Sequence, residues 1–197
     1  MAPKTLAVSL TLAAVALTAC SGTVSDGAAS SSASTSSLSA TTSATFNDAD
    51  VSFATDMISH HRQAVEMAEL ADTRAKRQEV KALATQIKDA QGPEIKTMSA
   101  WLTAWGRPVP ADMSGMDMSG SMPGMMSTAD MASLSKASGA DFDTRFLTMM
   151  VAHHEGAIEM ARTEMSDGAD ADAVALAGQI EKAQTAEIAT MKKLLSS

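Results

Sequence analysis

The apolar positions of this chain are spaced for helices. Phe53, Met57, His60, Ala64, Met67 and Ala71 step by four, three, four, three and four residues, the spacing of a seam that faces a neighbouring helix. A second stripe, Leu83, Ile87, Ala90, Ile95, Met98 and Leu102, lies on a stretch running from about Lys76 to Trp105. Both patterns return 93 residues later without a gap. Phe53, Met57, His60, His61, Ala64, Glu66, Met67 and Ala68 recur as Phe146, Met150, His153, His154, Ala157, Glu159, Met160 and Ala161. Leu83, Ile87, Gln91, Glu94, Met98 and Leu102 recur as Leu176, Ile180, Gln184, Glu187, Met191 and Leu195. A repeat in register implies one local fold used twice. With no alternating strand pattern, the expected fold is all-α, a four-helix bundle built from two repeated helix pairs.

The boundaries follow from composition. Residues 46–105 hold the first helix pair and 139–197 the second. Asn47 or Asp48 is placed to cap the first helix, and Asp141 or Asp143 its copy. Gly92-Pro93 interrupts the second helix where the fourth has Thr185-Ala186, so a bend is expected in one copy only. Residues 106–138 read as a loop, rich in Gly, Ser and Met between Asp112 and Met131.

Ahead of the repeat, residues 1–19 carry one lysine and a short apolar run, a secretory signal peptide rather than a membrane span. The run ends in Leu17-Thr18-Ala19-Cys20, which resembles a bacterial lipobox with Cys20 as the lipidated residue. Residues 20–45, almost all Ser, Ala, Thr and Gly, are expected to form a flexible tether, giving an extracytoplasmic domain lipid-anchored to the bacterial cell membrane. Cys20 is the only cysteine and once lipidated leaves no thiol, so a disulfide framework and thiolate metal chemistry are not expected. The net charge of -8 argues against nucleic acid as a partner and is compatible with cations.

Against this background the histidines stand out. The chain has four, and all occur as adjacent pairs at matching positions of the repeat, in DMISHHRQAVEMAEL and MMVAHHEGAIEMART. On an ideal helix Met57 projects between His60 and His61, and Met67 lies within about 20° of His60. Met150, His153, His154 and Met160 repeat this on the third long helix. Thioether and imidazole together suit copper, since sulfur is a poor ligand for hard cations and a good one for Cu(I), while imidazole takes either oxidation state. Met113, Met116, Met118, Met122, Met125 and Met126 in the loop form a secondary candidate set. The competing reading is a non-metal interaction module with structural buried histidines, its methionine loop docking a partner. Gln91, Glu94, Gln184 and Glu187 are either imidazole-orienting partners or helix-surface polarity. A ferritin-type di-iron centre requires Glu three residues before a ligating His, and here those residues are Met57, Ile58, Met150 and Val151. No nucleophile, acid and base pair or phosphate loop is visible, so a binding protein is expected rather than an enzyme.

The doubled F-x-x-x-M-x-x-H-H-x-x-A-x-x-M and A-x-x-I-x-x-A-Q-x-x-E-I-x-x-M-x-x-x-L patterns resemble the bacterial family known as domain of unknown function 305, over roughly Phe46 to Leu195. The resemblance implies a ferritin-like four-helix bundle and, as for some members, extracytoplasmic copper binding and copper tolerance. By position it implies Met57, His60, His61, Met67, Met150, His153, His154 and Met160 as ligands of Cu(I) or Cu(II), with a copper-handling protein as a further partner.

Overall fold

A computed structural model describes residues 45–111 and 122–197. The signal peptide, Cys20, most of the tether, and Met113, Met116 and Met118 lie outside the described residues.

The seam on residues 53–71 forms α1, Asp48–Arg74. Asn47 caps it, accepting from Ala49 and Asp50 N–H, while Asp50 reaches back to the Asn47 N–H at 2.6 Å. After a three-residue turn comes α2, Gln78–Ala104, which continues through Pro93. A short helix, α3, Thr128–Lys136, interrupts the expected loop. Its signal was Ser127 followed three residues later by Asp130, a capping box that closes in the structure. The second pair is α4, Gly139–Asp167, and α5, Ala171–Leu195. Among the described residues the fold is all-α, with four long helices in two hairpins, and α1 and α4 pack against each other as the inner pair.

Neither Asp141 nor Asp143 caps α4, which starts at Ser138 without a side-chain cap. Asp141 pairs with Arg145 one turn on. Asp143 is buried and reaches the other hairpin, accepting from the Lys76 and Arg77 N–H groups at 2.9 and 3.1 Å at the start of α2. Its counterpart Asp50 does the same for the Ala169 and Asp170 N–H groups before α5, at 3.1 and 2.9 Å. Each inner helix thus caps the outer helix of the opposite hairpin. This satisfies orphan donors at both turns and ties the halves together by a pseudo-twofold relation.

The same relation organises the core. Phe53, Met57, Met98 and Leu102 of the first pair pack with Ala157, Ala161, Ala177 and Ile180 of the second. Phe146, Met150 and Met191 pack with Ala64, Ala68, Ala84 and Ile87, the repeat equivalents, in a second cluster that Leu134 of α3 extends. The α1 seam is buried throughout. The α2 stripe differs from expectation at Ala90, which is exposed, while Gln91 is buried in its place. The inward row runs through Ile87, Gln91 and Met98, and through Ile180, Gln184, Glu187 and Met191 on α5. A polar layer therefore separates two apolar clusters.

Candidate metal centre

That layer holds all four histidines, each buried. His60 of α1 and His153 of α4 meet at the pseudo-twofold axis, with ring centroids 3.7 Å apart and planes inclined by 39°. The other two point to the outer helix of their own hairpin. His61 Nε2 lies 2.7 Å from Glu94 Oε2, and His154 Nε2 lies 2.7 Å from Glu187 Oε2. The expectation that Glu94 and Glu187 orient imidazoles is realised in both copies, whereas Gln91 and Gln184 are buried with their Oε1 atoms unpartnered. Glu66 and Glu159 are exposed.

The hydrogen bonds fix the ring chemistry. His60 Nε2 lies 3.1 Å from the Pro123 carbonyl oxygen, and a carbonyl only accepts, so Nε2 carries the hydrogen. In a neutral ring the lone pair is then on Nδ1. The Nδ1 atoms of His60, His61, His153 and His154 are all buried without a partner, and His153 lacks one at Nε2 as well. Buried polar atoms are ordinarily satisfied, so five unpartnered ring nitrogens in one layer mark it as the candidate site. An imidazole that donates one N–H to a carboxylate or carbonyl and leaves the other nitrogen free is oriented in the way metal-ligating histidines are.

Burial depresses the His60 pKa to about 3, the charges of His61 and His154 adding to the effect and the Pro123 carbonyl opposing it. His153 is held well below its ordinary value by burial, then by His60, His154 and His61. The central pair is therefore neutral at physiological pH, the form in which imidazole binds metals.

Among the described residues no group of three or more His, Cys, Asp or Glu side chains is arranged to hold a metal ion. A hard, carboxylate-rich centre does not fit, because Glu94 and Glu187 are engaged with the outer imidazoles. The neutral groups at the centre of the layer are the two imidazoles of His60 and His153. Met57 and Met150, fully buried, stand one turn before His60 and His153 in opposite clusters. Met67 is buried in the cluster of Met150, and Met160 is half-buried against that of Met57. Met122, Met125 and Met126 are half-buried on the segment leading to α3.

That segment crosses the histidine layer. Gln63, two residues past His61, donates to the Met126 carbonyl at 2.9 Å and accepts from its N–H at 2.7 Å. Gly124, at φ 76°, lies so close to α4 that a Cβ would sit 2.7 Å from the Ala152 oxygen and 2.9 Å from the His153 oxygen. A Cβ on Gly156 of α4 would run into the Pro123 carbonyl. Sequence reasoning missed Pro123, Gln63 and Gly156. The available signal was a break in the repeat, where Arg62-Gln63 stands opposite Glu155-Gly156 directly after the two histidine pairs.

Comparison with known proteins agrees with this architecture. The family model for domain of unknown function DUF305 matches residues 50–195. A DUF305 protein from Streptomyces coelicolor is 33% identical with a TM-score of 0.68, covering 75% of this chain and 92% of its own. A DUF305 fragment from Deinococcus radiodurans is 32% identical at a TM-score of 0.69, covering 77% and 97%. CopM in its Cu(II)-bound form is 36% identical at 0.66, covering 75% and 95%. No curated protein sequence matches. The repeat, the bundle and these likenesses agree that the chain belongs to the DUF305 family.

Proposed function

We propose that this protein is an extracytoplasmic copper-binding lipoprotein that sequesters Cu(I) or Cu(II), or passes the ion to a copper-handling partner. The observation that carries the reading is the set of buried, unpartnered Nδ1 atoms, with three of the four rings fixed through Nε2. His60 and His153 would hold the ion, with Met57 and Met150 as the nearest thioether donors in sequence and His61 and His154, oriented by Glu94 and Glu187, as further imidazole ligands. A neutral donor set adds no charge of its own to the interior and favours the soft ion. CopM, similar over three quarters of this chain, has been solved in Cu(I)-bound, Cu(II)-bound and Ag-bound forms. The lipidated Cys20 and the Ser/Ala/Thr tether would hold the domain at the membrane surface. The role is binding, not catalysis.

Thermal unfolding of the purified protein with and without Cu(I) under anaerobic conditions tests this. A ligand held only by the folded state adds about 2.7 kcal/mol when its free concentration is a hundredfold above Kd, so Tm should rise by several degrees. The rise should vanish when His60 and His153 are both replaced by Ala. An unchanged Tm in the wild type would leave a helical interaction module with structural histidines in its place.

A further inference from the structure

Three of the four histidines have an acceptor on Nε2, and only one of those acceptors is not a carboxylate. Glu94 and Glu187 sit at matching positions of the repeat and serve matching histidines. The acceptor for His60 is a backbone carbonyl, Pro123, from outside the repeat. The residues that seat Pro123 are those at which the two halves diverge. Gly156 leaves room on α4 for the Pro123 carbonyl, and Gln63, its counterpart on α1, grips Met126 through both backbone groups. Its neighbour Arg62 donates to the Pro110 and Ala111 carbonyls at 2.8 and 2.9 Å. The chain on either side of residues 112–121 is thus fastened to consecutive residues of α1, immediately after His60-His61.

We propose that the Pro123–Met126 segment is a positioning element for the copper site, holding His60 in the Nε2–H tautomer so that Nδ1 presents its lone pair to the ion, with Gly156 and Gln63 as the residues that dock it. The inference rests on the copper reading above and specifies how the site is completed. It also breaks the symmetry of the central pair, because His153 has no acceptor on either nitrogen and keeps its choice of tautomer. Docking of the segment and binding of the ion then favour each other, and linkage requires that each strengthens the other by the same factor.

The test uses Gly156→Ala, whose methyl group displaces the Pro123 carbonyl, and Gln63→Ala, which removes both bonds to Met126 at a half-buried position and serves if the first variant does not fold. Without metal, the nitrogen chemical shifts of His60 should show a fixed Nε2–H tautomer in the wild type and a tautomer mixture in the variants. Anaerobic Cu(I) titration against a competing chelator should give affinities weaker by roughly tenfold, the lower end for loss of a ligand-orienting partner. In the wild type, Cu(I) should slow hydrogen exchange at the Met126 N–H by a similar factor. An unchanged His60 tautomer in a variant that has lost Met126 protection would overturn the proposal. So would unchanged or tighter Cu(I) binding, the latter marking the segment as a plug. Absence of Cu(I) binding by the wild type would overturn both readings, a result distinct from wild-type binding with unaltered variants.

Discussion

The two hairpins of this bundle agree at the centre and differ at its rim. Both place a histidine on the axis, a second histidine on a glutamate of the outer helix, and an aspartate across the interface as a cap for the opposite hairpin. They differ at Gln63 and Gly156, where the connecting segment docks, and at Ala71 and Glu164, where one turn has gained a buried carboxyl group. The shared features are those that the twofold packing of the hairpins repeats, and the differences lie where the connecting segment docks and where one turn carries a buried carboxyl group.

The largest break in this comparison is the loss of both axial imidazoles. Replacing His60 and His153 together by Ala should weaken Cu(I) binding by more than about a hundredfold, beyond what loss of an orienting partner causes. Smaller effects are expected from the outer carboxylates. Glu94→Gln and Glu187→Gln should each weaken binding by about 10- to 100-fold, with Glu187 the more sensitive because its side chain is 8% exposed against 20% for Glu94. Equal effects would show that burial does not distinguish the two sides.

The crossed caps should behave as a matched pair in stability. Asp50→Ala and Asp143→Ala each leave two backbone N–H groups at an outer-helix start without their acceptor, and each should cost roughly 2 kcal/mol in denaturant unfolding. A loss confined to one of them would contradict the twofold account.

Glu164 gives the smallest and most one-sided effect. Burial, with the nearby carboxylates of Asp50, Asp170 and Asp167, raises its pKa to about 8. Because the folded chain holds a proton that the unfolded chain releases near 4.5, stability is full below that value, falls as pH rises, and levels off above about 8. Between pH 7.5 and 9, where histidines of the unfolded chain are already neutral, Tm should decline by roughly 2 °C. Glu164→Gln should flatten that decline.

Much of this was legible in the sequence. Seam spacing gave α1 and α4, and the offset of 93 residues gave the equivalence of the hairpins and the pairing of all four histidines. Ala90 is ambiguous because alanine fits either face of a helix, whereas Glu94 turns toward α1 because the buried His61 imidazole requires an acceptor. Asp143 is not the local cap that helix-start rules offer as one of two choices, because those rules consider only neighbouring residues and its partners lie 67 and 66 residues away. The hold of Pro123 on His60 was not legible at all, since a backbone carbonyl leaves no residue-type signal.

The most direct test of the central claim is anaerobic Cu(I) titration of the wild type and the His60→Ala/His153→Ala variant against a competing chelator, with metal counted per chain. The account predicts tight binding at a fixed stoichiometry in the wild type and its loss in the variant. Equal affinity in the two proteins, or no competition with the chelator by either, would contradict it.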